Sequence, residues 1–177
     1  MKIEKLSLAG FAGFLDYLND HLSDNGHSDT AYFQPLPRTE SRFPVEKAEA
    51  FISGMQIEVG QPGWRRAWVM REDDDSIAGH IDLRGHPERY TGHRCLLGMG
   101  VDRKHRGQGL GKQLIAHAEQ WVLLAGVQWV DLQVLSVNAP AIHLYQSCGY
   151  RQTGEIPNMF HIDGKYFSYT SMTKRLR

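Results

Sequence analysis

The chain has 177 residues, 41% hydrophobic and 23% charged, and its 20 basic and 20 acidic side chains leave a formal net charge of zero. That length fits one domain over 1–177 with a real core, no apolar run approaches the ~20 residues of a bilayer span, and the zero balance argues against a broad basic face for nucleic acid. Two cysteines, Cys95 and Cys148, with no CxxC pair exclude a disulfide framework and a cysteine zinc site.

The opening residues MKIEKLSLAG lack the long apolar stretch of a secretory signal, which gives a cytoplasmic expectation. Residues 1–8 pattern as a short strand. Residues 10–22 pattern as a helix with Phe11, Phe14, Leu15 and Leu18 on one face. Residues 23–44 are rich in Gly, Pro, Ser and Asp and read as a long loop, a kind of segment that often carries function. A second helix follows Pro44, over about 45–56. Strands are expected from Trp64 and from Ser76, joined by a turn at Asp73–Asp75, and a third apolar run covers Arg94–Asp102.

Residues 109–126 form a strong helical pattern, with Leu110, Leu114, Ala118, Val122 and Ala125 on one face and Gly126 as its stop. Residues 127–137 carry enough apolar side chains for a strand buried on both faces. A short helix follows, with Pro140 in its first turn and Gly149 at its end. Strands at about 150–160 and 165–175 are joined by Asp163-Gly164, a strong hairpin turn signal. The order β-α-α-β-β-β-α-β-α-β-β implies an α/β fold with one mixed central sheet flanked by helices.

The most informative segment runs from Val101 to Lys112. A strand ends, Gly107, Gly109 and Gly111 alternate, and a long helix begins. The first turn of a helix presents unpaired amides and partial positive charge, and glycine lets an anion approach the main chain, so this turn suits a pyrophosphate. Arg103, Lys104, Arg106 and Lys112 add positive charge. The G-x-x-x-x-G-K-[ST] pattern fails because Gln113 follows Lys112, and G-x-G-x-x-G fails because Lys112 takes the third glycine position. A glycine-rich turn with solvated charges is the plain alternative.

The run Arg106-Gly107-Gln108-Gly109-Leu110-Gly111 resembles the R/Q-x-x-G-x-G/A signature of the GNAT superfamily of N-acetyltransferases. Downstream, Asn138-Ala-Pro-Ala141-Ile-His-Leu-Tyr145-Gln-Ser-Cys-Gly149-Tyr150 is similar to that family's N-x-x-A-x-x-L-Y-x-x-x-G-F segment, with Tyr150 where Phe is commoner. The resemblance covers residues from about 64 to the C-terminus.

The resemblance implies a GNAT-type fold and acetyl-CoA as co-substrate. Its diphosphate would sit on the amides of Arg106 to Lys112, with Asn138, Ala141 and Tyr145 also at the cofactor. Leu97 to Val101 resembles the family's fourth strand, where Gly98 and Gly100 would permit a bulge and an amide near Met99, Gly100 or Val101 would serve as oxyanion donor. Tyr145 is the implied general acid, its phenol protonated at neutral pH and able to supply the leaving thiolate. Packing beside Leu144 is its plain structural alternative, as helix capping is for Asn138.

The general base is open. Many family members carry a Glu just before the bulge, but Cys95-Leu96-Leu97-Gly98 has no carboxylate. His80, Asp82 and His93 are candidates, as is a water chain ending on one of them. Nine histidines include no H-E-x-x-H and no zinc spacing, so no metal is expected.

For the acceptor, Asp20, Asp24, Asp29 and Glu40 could attract a cation, and Tyr32, Phe33 and Phe43 could pack an apolar group. The C-terminal segment resembles family members that acetylate free amino acids or related amines. A protein N-terminal or lysine acetyltransferase and a non-catalytic CoA sensor are the alternatives. Exposed edge strands near the C-terminus could pair two copies into a homodimer, and neither nucleic acid nor membrane is an expected partner.

Overall fold

The protein is described from a computed structural model over residues 1–176. Its elements follow the expected order: β1 (Lys2–Lys5), α1 (Phe11–Leu22), a 3-10 turn (Arg38–Glu40), α2 (Val45–Gln56), β2 (Arg65–Arg71), β3 (Ile77–Gly85) and β4 (Arg94–Val101). A second 3-10 turn (Arg103–His105), α3 (Leu110–Leu124), β5 (Trp129–Leu135), α4 (Ala139–Ser147), β6 (Arg151–Ile162) and β7 (Lys165–Arg175) complete it. No described helix is long and apolar enough to cross a membrane.

The strands form one seven-stranded sheet in the order β1-β2-β3-β4-β5-β7-β6. Every neighbouring pair is antiparallel except β4 and β5. That parallel pair needs a crossover, which α3 supplies. The pairing covers only Arg94↔Trp129, Cys95↔Val130 and Leu96↔Asp131. Beyond Leu96 the two strands part, and this split positions the site.

The two faces of the sheet are covered by different helices. The α3 stripe of Leu114, Ala118 and Val122 is buried with Ile81, Leu83 and Leu97. On the other face Phe11, Phe14 and Leu18 of α1 and Ala48 and Phe51 of α2 pack with Ala67 and Val69. Gly126 ends α3 with φ +77°. Ala125, expected on the buried stripe, is exposed because it is already the C-cap, where the helical period stops. In the β6–β7 turn Asp163 and Gly164 both take left-handed φ, 49° and 72°, as a two-residue hairpin loop of this kind requires.

Two further expectations need correction. β5 is not buried on both faces along its length. Val130, Leu132 and Val134 are buried, but Gln133 between them is exposed, because neither α1 nor α2 reaches across this part of the sheet. Nor does β4 bulge against β3: their register runs unbroken from Gly85↔Cys95 to Gly79↔Val101.

The long loop after α1 is held by Asn25, a buried hub. Its Nδ2 donates to the Gln34 and Leu36 carbonyls and the Ser41 hydroxyl, and its Oδ1 accepts from the Phe33 and Gln34 amides. Tyr32 then reaches the β6–β7 hairpin, donating to Asp163 at 2.5 Å and packing on Phe167. The loop is thereby laid over the end of the sheet where β4 and β5 separate.

Candidate active site

The parting of β4 from β5 opens a cleft of about 800 Å³. Met99, Gly100 and Val101 of β4 form one wall, and Gln133 and Val134 of β5 another. The glycine turn and the start of α3 close one side with Arg106, Gly107, Gly109, Leu110, Gly111 and Lys112. Asn138, Ala141 and Tyr145 come from α4, and His21, Asp29, Phe33 and Gln34 from α1 and its loop. Gln108 is directed elsewhere, its side-chain amide donating to the Lys104 carbonyl at 2.9 Å.

The three alternating glycines have two different reasons to be glycine. Gly107 and Gly109 adopt left-handed φ of 77° and 82°, and a Cβ on either would meet nothing within 4 Å, so the turn's outer surface is open. Gly111 is a close-packing site: a Cβ there would come within 2.7 Å of Leu144, where α3 meets α4. Gln113 is the first amide of α3 bonded back along the helix, to the Gly109 carbonyl at 3.3 Å, so the amides of Leu110, Gly111 and Lys112 stand ahead of the helical ladder. The turn is braced from behind, since Asp102 accepts from the Lys104 amide while His105 bridges Asp102 and Glu72.

The main chain of β4 also faces the opening. The Asp102 amide bonds the Ala78 carbonyl at 2.9 Å. Antiparallel alternation then turns the peptide groups of Gly98 and Gly100 toward β3 and those of Met99 and Val101 toward the cleft. An outward amide beside Gly100 therefore needs no bulge. The glycines here answer a different demand. A Cβ on Gly98 would lie 2.6 Å from Asp82, and one on Gly100 would lie 2.6 Å from His21 and 2.7 Å from His80.

Tyr145 is buried, lines the cleft and packs edge-on against Tyr150 at 5.9 Å. Burial, with Cys148 adding to it, holds its phenol above the usual tyrosine value, so it stays protonated across the neutral range. Asn138 caps α4, its Oδ1 accepting from the Ala141 amide at 3.4 Å. Burial pushes the Cys95 thiol up to about 12, which makes it an unreactive core group.

The three base candidates lie in different surroundings. His80 is buried behind α1 with its Nδ1 3.1 Å from the Tyr17 hydroxyl, and burial lowers its pKa to about 3. Asp82 is buried between Arg65 and Arg84, each at 3.5 Å. His93 is exposed just before β4, at the end of the strand away from the turn, where its carbonyl accepts from Gln128 and Trp129. None of the three is among the residues lining the cleft.

Three histidines do line it, His21, His105 and His143, and of these His21 alone is buried; nothing in the sequence analysis singled it out. A signal was present: Phe14, Tyr17, Leu18 and His21 recur at helical spacing, so a histidine sits on the buried stripe of α1. Tyr17, also missed, stacks on His21 and places its hydroxyl 3.5 Å from the Gly100 carbonyl.

Two of the expected phosphate-facing cations are engaged. Arg103 bonds Asp20 and Asp24, and Arg106 bonds Asp24. Asp20 and Asp24 are thus committed to the turn rather than free for a cationic acceptor. Tyr32 and Phe43 serve the core, Phe43 packing on Phe51. Asp29 and Phe33 remain at the cleft.

The chain is similar to known proteins in sequence and in fold. Residues 30–150 match the family model described as the Acetyltransferase (GNAT) family. The streptothricin acetyltransferase of Streptomyces lavendulae is 35% identical over 118 residues, 64% of this chain and 60% of that one. The spermidine N(1)-acetyltransferase of Vibrio cholerae is 31% identical over 102 residues, 57% and 58% of the two chains. The chain thus spans a little over half the length of these two relatives. Its fold is shared with a Salmonella typhimurium protein, yncA, whose structure holds its cofactor acetyl-CoA: TM-score 0.76 at 19% identity, covering 100% of this chain and 94% of that one. The glycine turn, the split between β4 and β5 and the family model over residues 30–150 lead to one conclusion: this chain belongs to the GNAT acetyltransferase family.

Proposed function

We propose that the protein transfers an acetyl group from acetyl-CoA to the primary amine of a small molecule such as an amino acid or related amine, by direct attack on the thioester. The observation that carries this reading is the cleft itself. The split between β4 and β5 lies between an anion-ready turn and a protonated tyrosine.

A diphosphate suits the turn, because Gly107 and Gly109 leave its outer face clear and three α3 amides stand ahead of the helical ladder. The pantetheine arm would run in the split along β4, hydrogen-bonded to Met99 and Val101 as an added strand would be. That path brings the thioester beside Gly100, with Tyr145 facing the sulfur. Acceptor and thioester held together need no covalent enzyme intermediate, and proximity supplies much of the acceleration. The amine nitrogen bonds to the carbonyl carbon, the oxyanion collapses, and the C–S bond breaks as the Tyr145 phenol gives its proton to the sulfur. With His80 behind Tyr17, Asp82 between two arginines and His93 outside the cleft, the amine proton passes to water.

A small acceptor fits the end of the cleft bounded by Asp29, Phe33 and Gln34. The names of two relatives, streptothricin acetyltransferase and spermidine N(1)-acetyltransferase, point the same way. A cytoplasmic location belongs to the same reading.

Thiol release from acetyl-CoA, followed across amino acids, polyamines, aminoglycosides and peptides, tests this. Release with at least one small amine is the expected result. Release only with peptides would redirect the reading to protein acetylation. Tight CoA binding with no release from any acceptor would leave a sensor module, and stronger stabilisation of the fold by ATP than by acetyl-CoA would remove the cofactor assignment.

A further inference from the structure

His21 lies on the last turn of α1, only 8% exposed, yet it lines the cleft. Its two ring nitrogens have different surroundings. Nδ1 is sealed from solvent and has no hydrogen-bond partner among the described residues. Nε2 lies over Gly100, close enough that a Cβ on that glycine would come within 2.6 Å of it. The ring is fixed by its neighbours: Tyr17 stacks on it at 6.0 Å, Phe33 tilts against it at 4.9 Å and His80 meets it edge-on at 5.9 Å.

We propose that His21 is a catalytic residue that remains uncharged and donates its Nε2–H to the carbonyl oxygen of the thioester, as a second donor beside the outward amides of β4. This rests on the acetyl-transfer reading above and deepens it.

A neutral imidazole carries one hydrogen, on either nitrogen. A buried N–H without an acceptor is the rarer and costlier arrangement, so the hydrogen belongs on Nε2, at the cleft wall. A second proton would have to occupy the sealed Nδ1. Burial, then the Arg106 charge, lowers the ring's pKa to about 4, with Arg103 adding slightly and Asp24 and Asp102 opposing. The titratable groups packed on the ring, Tyr17 of α1 and His80 of β3, are themselves held neutral by burial. At neutral pH His21 is therefore a donor rather than an ammonium base. A neutral imidazole with a lowered pKa is an effective electrophile toward a carbonyl, because its hydrogen bond strengthens as negative charge develops on oxygen.

Met99 and Val101 turn their main-chain groups to the cleft on either side of Gly100, and Nε2 lies over that residue. In the reaction the amine adds to the carbonyl carbon and the π pair moves to oxygen, held by Nε2–H and a β4 amide. The pair then returns and the C–S bond breaks. Tyr145 protonates the sulfur, the amine proton goes to water, and His21 keeps its own proton throughout.

Infrared difference spectra of acetyl-CoA labelled with ¹³C at the thioester carbonyl, bound without any acceptor, test the assignment. In the native protein the bound carbonyl stretch falls below that of free acetyl-CoA. His21→Leu, which keeps volume but removes this donor and leaves the β4 amides in place, should return part of that shift, while His21→Gln, which retains an N–H, should return less of it. Thermal melting establishes that both variants are folded. ¹⁵N NMR of the native protein should show His21 as the Nε2–H tautomer with no titration between pH 5 and 8. With a competent amine, kcat of His21→Leu should fall about 100-fold, as expected for loss of one oxyanion donor. An unchanged carbonyl shift in folded His21→Leu that still binds acetyl-CoA would overturn this inference alone, as would an Nδ1–H tautomer or titration near pH 6.5. If the native protein bound no acetyl-CoA, the cofactor reading and this inference would fall together.

Discussion

The Asp24 carboxylate accepts a hydrogen bond from Arg106 at 3.2 Å and so ties the start of the α1 loop to the turn that faces the cleft. Arg103 bonds the same carboxylate at 2.9 Å. On the function proposed above, one acidic side chain would compete with an incoming diphosphate for two arginines. Asp24→Asn removes that competitor. CoA should bind about 3- to 10-fold more tightly, corresponding to roughly 0.7–1.4 kcal/mol. Stability should change little, because a partly exposed ion pair contributes about 0–1 kcal/mol. Calorimetric titration at low and high salt checks this, and the gain in affinity should shrink as salt rises.

Gly100 and Gly109 are expected to fail differently when replaced by alanine. At Gly100 the new methyl would enter the space held by His21 and His80, a packing fault worth about 1–3 kcal/mol that also displaces Nε2. At Gly109 the space is open and only the left-handed φ is strained, at about 1–2 kcal/mol, but the methyl stands where an anion would approach the turn. Gly100→Ala should therefore lower Tm and turnover with little change in CoA affinity. Gly109→Ala should lower CoA affinity at least 10-fold. Melting curves and CoA titrations of the two variants separate the effects.

His21 and His80 should make the fold sensitive to mild acid. Burial lowers their pKa values from 6.5 to about 4 and about 3. Between those values and 6.5 the unfolded chain binds protons that the folded chain refuses, so stability falls as pH drops below about 6.5 and is flat with respect to these groups above it. Each histidine contributes a slope approaching 1.4 kcal/mol per pH unit in that window. Urea unfolding from pH 4.5 to 8 measures the slope, and His21→Leu should reduce it by up to half. A stability independent of pH over this range would contradict the buried, neutral pair.

Tyr145→Phe should lower kcat by about 10²–10⁴ while leaving the KM for acetyl-CoA nearly unchanged, because it removes a proton donor but keeps the ring. Burial raises the phenol's pKa, so native activity should not decline on the alkaline side before about pH 10. Turnover of the two proteins from pH 6 to 10 checks both statements.

Local pattern was enough for most of the elements. The helical stripe of α3 and the Asp163-Gly164 turn needed only spacing and the freedom of glycine, and α2 occupies its expected residues. Strand β5 read as buried on both faces because apolar content does not reveal which helix covers which face. The outward turn of the Met99 and Val101 peptides depends on pairing phase with β3, so the sequence suggested a bulge where ordinary alternation suffices. The base candidates are two residues of β3, the strand neighbouring β4, and the residue just before β4. His21 lies 79 positions from Gly100, and only the packing of α1 on the sheet brings them together. The pairing of Arg103 and Arg106 with Asp24 was not legible either, because these ion pairs cross from one element to another.

On the function proposed above, the turn between Arg106 and Lys112 would grip a diphosphate and direct a thioester along β4 toward Tyr145. The most direct measurement is an assigned ¹H–¹⁵N spectrum of the protein titrated with CoA. The Leu110, Gly111 and Lys112 amides should move far downfield together with those of Met99 and Val101. Unmoved turn amides at saturating CoA, with shifts confined to another surface, would show that the diphosphate binds elsewhere.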